Sequence, residues 1–174
     1  MHLLLDLIAH RGDLSRLREI CGDWCLIGAV PTGEGEGGWS YRTDVQVMAG
    51  TRTRVNLTDR ALPLKKKRAG VPVNDPGRGS VFGTVLVGRA ASNDVIIEHE
   101  SVSKLHARVE VSEAGVAIRD AGSSNGTRVG DEVVGDAAVV VKDGGDVVFG
   151  ACAFVVVSAA KLQDLLLKLA KSTK

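Results

Sequence analysis

From about residue 83 onward, short runs of valine and isoleucine alternate with polar positions. This period-two pattern predicts strands over residues 84–88, 94–97, 105–111, 116–120, 127–129, 138–141, 146–149 and 153–157. Turn-forming clusters separate them, among them Glu113-Ala114-Gly115, Ser124-Asn125-Gly126 and Asp143-Gly144-Gly145. Within residues 105–111 the alternation sets Ala107, Val109 and Val111 on one face, and His106, Arg108 and Glu110 on the other. Several short strands at close spacing argue for an all-β sandwich or barrel.

The flanks have a different texture. Residues 3–9 and 14–21 read as helix, with Leu4, Leu7 and Ile8 on one face. Asp13 is placed to cap the turn that carries Leu14, Leu17 and Cys21. Residues 25–30 form an apolar run closed by Pro31, read as a strand, and the Gly/Glu-rich residues 33–38 read as a loop. Residues 45–47 and 54–57 suggest a small hairpin, 61–64 a further strand, and 69–80 a connection. At the far end Leu162, Leu165, Leu166 and Leu169 recur at i, i+3, i+4 and i+7, an amphipathic helix expected to pack on the sandwich.

Composition narrows the function classes. The 174 residues carry a formal charge of +1, so no global field steers the chain toward nucleic acid or a lipid surface. The one basic run, Lys65 to Arg68, reads as a solvated loop. Aromatics total only 3%, too few for the stacking platforms a nucleic-acid groove uses. Three cysteines cannot form a closed disulfide set, and Cys21, Cys25 and Cys152 do not supply a zinc tetrad. They fit reduced thiols in a cytoplasmic protein. The apolar start is short and broken by Asp6, which argues against a signal peptide, and no stretch reaches membrane-spanning length.

Two chemistries compete for the segment Ser101 to Val109. Ser103 and His106, with Asp120, are the ingredients of a catalytic triad. Yet no serine lies in a G-x-S-x-G elbow, and the chain has neither a phosphate-binding G-x-x-x-x-G-K-[ST] loop nor an H-E-x-x-H zinc site. The other chemistry is passive anion binding. Arg89 follows a strand in which Val85 and Val87 share its parity, and its planar fork suits a phosphate. Ser103 offers a hydroxyl, Lys104 a mobile charge, and Ser123 to Thr127 a tight turn with an exposed amide at Asn125. Taken singly, each has a blander reading: a surface arginine, a turn, a cap. The combination favours binding over catalysis.

Four motifs in order give that combination a family likeness. V-G-R-A-A-S-N-D-V-I-I (from Val87), S-V-S-K-L-H-A-R-V (from Ser101), D-A-G-S-S-N-G-T-R-V (from Asp120) and D-G-G-D-V-V-F-G (from Asp143) together resemble the forkhead-associated (FHA) domain, as in its small bacterial members. The likeness is clear over residues 83–158. It implies an FHA/SMAD-like β-sandwich of about eleven strands over residues 23–158, the first two near 25–30 and 61–66, with an insertion at about 31–60. Residues 1–22 would be an N-terminal helical segment, and 159–174 a C-terminal helix. It implies binding of phosphothreonine peptides by loops at one end, with no cofactor, metal or catalytic residue. By motif position, Arg89 and Ser103 would hold the phosphate, Lys104 and Ser124 would join them, and Asn125 would bond the peptide backbone. Gly88, His106, Gly126 and Thr127 would support the loops. The partner would be a threonine-phosphorylated protein such as a Ser/Thr kinase or its substrate, in bacterial signalling. After Thr127 the family usually continues with x-V-Asn-Gly, whereas here Arg128-Val129-Gly130-Asp131 stands, which implies a changed turn beyond the pocket. A phosphate-independent scaffold on the same fold is the alternative, and a hydrolase using Ser103 and His106 the third reading.

Overall fold

The computed structural model of the chain describes residues 2–28, 60–65, 84–112 and 115–172. The expected hairpin at 45–57, the loop at 33–38, the connection at 69–80 and most of the basic run lie outside the described residues. In chain order the elements are β1 (His2–Leu3), α1 (Leu4–Leu7), a short 3-10 turn (Ile8–His10) and α2 (Leu14–Cys21). There follow β2 (Trp24–Gly28), β3 (Arg60–Pro63), β4 (Thr84–Gly88), β5 (Val95–Ile96), β6 (Ala107–Ser112) and β7 (Gly115–Asp120). The chain continues through β8 (Thr127–Val129), β9 (Glu132–Val134), β10 (Val139–Val141), β11 (Asp146–Phe149), β12 (Cys152–Ser158) and α3 (Ala159–Ser172).

These strands make two sheets, ordered β1-β3-β2-β12-β11-β8-β9 and β10-β7-β6-β4-β5. Every pairing among the described residues is antiparallel except β4 with β5. The sheets face each other across a core that includes Val85, Val87, Ala107, Val109 and Ile118 from one side and Leu26, Val147, Phe149, Phe154 and Val156 from the other. The expected sandwich is therefore present. Its described strands number twelve because the two-residue β1, within the segment read as helix, adds an edge to one sheet.

A second apolar core lies on the outer face of the seven-stranded sheet. Leu4, Leu7, Leu17 and Cys21 join the α3 stripe of Leu162, Leu165, Leu166 and Leu169 over Cys25, Ile27, Val155 and Val157. The central strands β2 and β12 are thus covered on both faces, Trp24 and Leu26 entering one core, Cys25 and Ile27 the other. Both read as near-continuous apolar runs because neither side meets water. Asp13 caps α2 as expected, accepting the Arg16 backbone N–H at 2.9 Å. Ser158 does the same for α3 through Lys161 N–H at 3.2 Å. Asp143, in the turn before β11, accepts the Ser158 N–H at 2.9 Å and so ties the sandwich to the helix.

The turn expected at Asn125-Gly126 connects strands of different sheets: β7 lies in one and β8 in the other, so residues 121–126 cross between them. Gly126 does take the positive φ (+76°) its position suggested. Residues 132–134, where the sequence pattern predicts no strand, form β9, paired with β8 through a two-residue turn at Gly130 and Asp131. The positive φ of that turn falls on Gly130 (+57°). All three cysteines are buried, and burial pushes the Cys21 and Cys152 thiols up to about 11. No helix among the described residues is long and apolar enough to cross a membrane.

Candidate functional site

Three loops meet at one end of the sandwich: the segment after β4, the segment before β6, and the crossover after β7. The first two are laced by backbone bonds. Arg89 N–H donates to Ser103 O at 2.9 Å, Ala90 N–H to Lys104 O at 3.1 Å, and His106 N–H to Val87 O at 2.8 Å. The crossover joins them through Ala121 N–H to His106 O at 2.9 Å, and the β11–β12 turn through Gly150 N–H to Gly126 O at 3.0 Å.

On this scaffold the expected contact residues converge. Strand parity would have sent Arg89 into the core beside Val85 and Val87. The strand ends at Gly88 instead, and Arg89 turns out to solvent. Its Nε donates to Val102 O at 3.1 Å, which fixes the plane of the guanidinium and leaves its two terminal nitrogens for a ligand. Ser103 Oγ accepts the Ser124 backbone N–H at 3.0 Å and stands 3.5 Å from Ser124 Oγ. Ser103 Oγ thus accepts from one group of Ser124 and makes a long donor contact to the other, which ties the two loops at their exposed tips. Asn125 Nδ2 donates to Ser101 O at 2.8 Å, which holds the exposed amide in one orientation. The Lys104 side chain is exposed on the loop beside Ser103.

The residues assigned to loop support sit underneath. His106 was placed by alternation on the face of Arg108; it is instead wholly buried, just before β6 begins. Its Nδ1 accepts the Ser103 backbone N–H at 3.0 Å. The ring proton is therefore on Nε2 and is donated to Gly126 O at 3.1 Å. The ring edge packs on Phe149 with centroids 5.7 Å apart. Burial holds the imidazole below its usual 6.5, against the smaller upward pulls of the Gly126 carbonyl and Asp120. Thr127 is buried and its hydroxyl donates to Asp120 Oδ2. Gly88 is needed for close approach: a Cβ there would lie 2.5 Å from Lys104 O and 2.8 Å from Asn93 Nδ2.

The sequence offers Asp120 as a triad member; the structure uses it to fold the crossover. Its carboxylate accepts the Gly122 N–H at 2.8 Å, the Ser123 N–H at 2.7 Å and the Ser123 and Thr127 hydroxyls, so it folds the crossover on itself. Burial alone would raise its pKa, but these bonds outweigh it and hold the carboxyl below 3.8. Sequence reasoning also passed over Ser101, whose Oγ accepts the Ala151 N–H at 2.9 Å, and Asn93. Both lie inside the quoted motifs. Side-chain bonds to backbone have no periodicity through which a sequence reveals them.

Chemically the arrangement is able to cradle an anion. It presents a fixed guanidinium, hydroxyl donors, an amide and a lysine on exposed loops, above buried groups whose bonds are already spent on one another. No three His, Cys, Asp or Glu side chains among the described residues are grouped to hold a metal ion.

The family comparison agrees with the motifs: residues 85–150 match the FHA domain model, and that part of the chain is an FHA domain. No curated protein matches the chain. Among solved structures, EmbR from Mycobacterium tuberculosis in complex with a low affinity phosphopeptide is 28% identical, with a TM-score of 0.40. That match covers 44% of this chain and only 20% of the EmbR chain. The FHA domain of an Arabidopsis thaliana hypothetical protein is 29% identical with a TM-score of 0.41, covering 44% of this chain and 67% of that one. The N-terminal FHA domain of S. cerevisiae Rad53p, in complex with a phosphothreonine peptide, is 18% identical with a TM-score of 0.40, covering 47% and 73%.

Proposed function

We propose that the chain is a phosphothreonine-peptide-binding module that mediates phosphorylation-dependent protein–protein interaction in bacterial signalling. The observation that carries this reading is the convergence of Arg89, Ser103, Ser124 and Asn125 on three mutually bonded loops. A phosphate monoester brings nearly two negative charges and three acceptor oxygens at neutral pH. Arg89 supplies charge-assisted bonds from its two terminal nitrogens, and Ser103 a hydroxyl proton. Lys104 adds charge beside them, Ser124 a second hydroxyl. Asn125, next to Ser124 on the crossover, is suited to the carbonyl or N–H of an extended peptide. FHA domains belong to the phospho-motif readers, in which arginine carries much of the recognition.

No step of this reading needs a nucleophile, base, metal or cofactor, and we assign the chain no catalytic activity. The working unit spans residues 23–158: β2 and β3 lie in the same sheet as β11 and β12, although the family match begins at residue 85. The partner is a threonine-phosphorylated protein, a Ser/Thr kinase or one of its substrates. A phosphothreonine peptide library screened against wild type and Arg89→Ala tests the proposal. Wild type should select phosphorylated members, and Arg89→Ala should lose them. Partner capture unaffected by phosphatase would favour the scaffold reading instead.

A further inference from the structure

We infer that Asn93 is a positioning residue of the phosphate site, an inference that rests on the binding function just proposed. Asn93 is 3% exposed, one of the few buried polar side chains described. Its Nδ2 donates to two carbonyls on two different loops: Ala90 O at 2.9 Å, next to Arg89, and Lys104 O, next to Ser103. The amide orientation follows from these partners, since the reverse would set its carbonyl oxygen against two others. The Ala90 and Lys104 peptides are also joined directly, Ala90 N–H to Lys104 O at 3.1 Å. Asn93 therefore closes a three-way clamp directly behind the guanidinium and the phosphate-facing hydroxyl.

The clamp explains the glycine beneath it. The Asn93 amide lies 2.8 Å from where a Gly88 Cβ would stand, so the two residues share one volume. The missing side chain of Gly88 makes room for the amide that fastens Arg89 to the Ser103 loop. Asn93 touches no ligand in this scheme. It acts by fixing the separation between Arg89 and Ser103, a distance that a phosphate senses directly.

Two variants test this. Asn93→Ala removes the amide; Asn93→Asp keeps the volume but replaces the double donor with acceptors. Amide hydrogen exchange in the free protein reads the clamp without any peptide. Both variants should speed exchange at Arg89 and Ala90 while Val109 and Ile118, in the sheet core, keep their protection. A phosphothreonine peptide selected by wild type should bind both variants about tenfold more weakly or worse, the order expected when a buried donor is lost and its acceptors remain. Unchanged exchange at Arg89 and Ala90, or wild-type affinity in Asn93→Asp, would overturn the inference. Failure of wild type to bind any phosphothreonine peptide would instead overturn the functional reading, and the exchange result would still decide the clamp.

Discussion

His106 Nδ1 accepts the backbone N–H of Ser103, not its hydroxyl, at 3.0 Å. One side chain contact thereby separates the two chemistries open to this segment. A catalytic base must take the nucleophile's proton. Here the only lone pair of the imidazole is occupied by a peptide group, and its proton is occupied by Gly126 O. Ser103 Oγ in turn is engaged by Ser124 N–H. The geometry is that of a tied loop.

A serine-directed phosphonate probe should accordingly leave Ser103 unlabelled in the intact protein, as read by peptide mass. Labelling that disappears in Ser103→Ala would revive the hydrolase reading.

His106→Ala should cost about 3 kcal/mol of stability in a denaturant titration, from a buried cavity and two lost bonds. The wild-type protein should also show a pH signature. The folded-state pKa lies below the ordinary 6.5, so the unfolded chain takes up the proton first on acidification. The His106 contribution is complete above about 6.5 and is lost as pH falls through the folded value. That component should be missing in the variant.

Asp120→Asn should loosen the crossover, because a carboxylate gathering four donors becomes an amide that can accept fewer. A loss of about 1–3 kcal/mol is expected, with weaker phosphopeptide binding measured by calorimetry. The sign of its pH dependence follows from a folded value held below 3.8. The carboxylate stabilises the fold above that range, and the benefit fades as pH drops through the folded value.

Leu165→Ala or Leu166→Ala should lower stability by about 2–5 kcal/mol, since both are fully buried in the second core. The dissociation constant for a phosphothreonine peptide should not move, because the helices cover the outer face of one sheet and the site lies on the loops at an end. A parallel loss of affinity would show that the helical layer reaches the site.

Much of this was legible in the sequence, for identifiable reasons. β4, β8 and β11 match their expected bounds because buried positions alternate with more exposed ones along each and a glycine ends or follows each run. α2 was announced by Asp13, and α3 by its leucine stripe. The residue types of Arg89, Ser103 and Asn125 suggest anion binding and the motif adds Ser124, but nothing in their spacing says that three loops bring them together. β9 was missed because Glu132-Val133-Val134 is short and its first two residues face solvent. The crossing of residues 121–126 between sheets was missed because Asn-Gly is the same signal in a hairpin and in a crossover. Asn93 and Asp120 were unread as supports because their work is done by single side chains on distant backbone.

The central claim is that phosphate binds at Arg89 and Ser103. Titrating a phosphothreonine peptide into isotope-labelled protein and following the Arg89 side-chain Nε–H with the backbone amides of Ser103, Ser124 and Asn125 tests it most directly. These signals should shift together, with no shift for the unphosphorylated peptide and none in Arg89→Ala. Equal shifts from both peptides, or shifts confined to a surface away from the three loops, would contradict it.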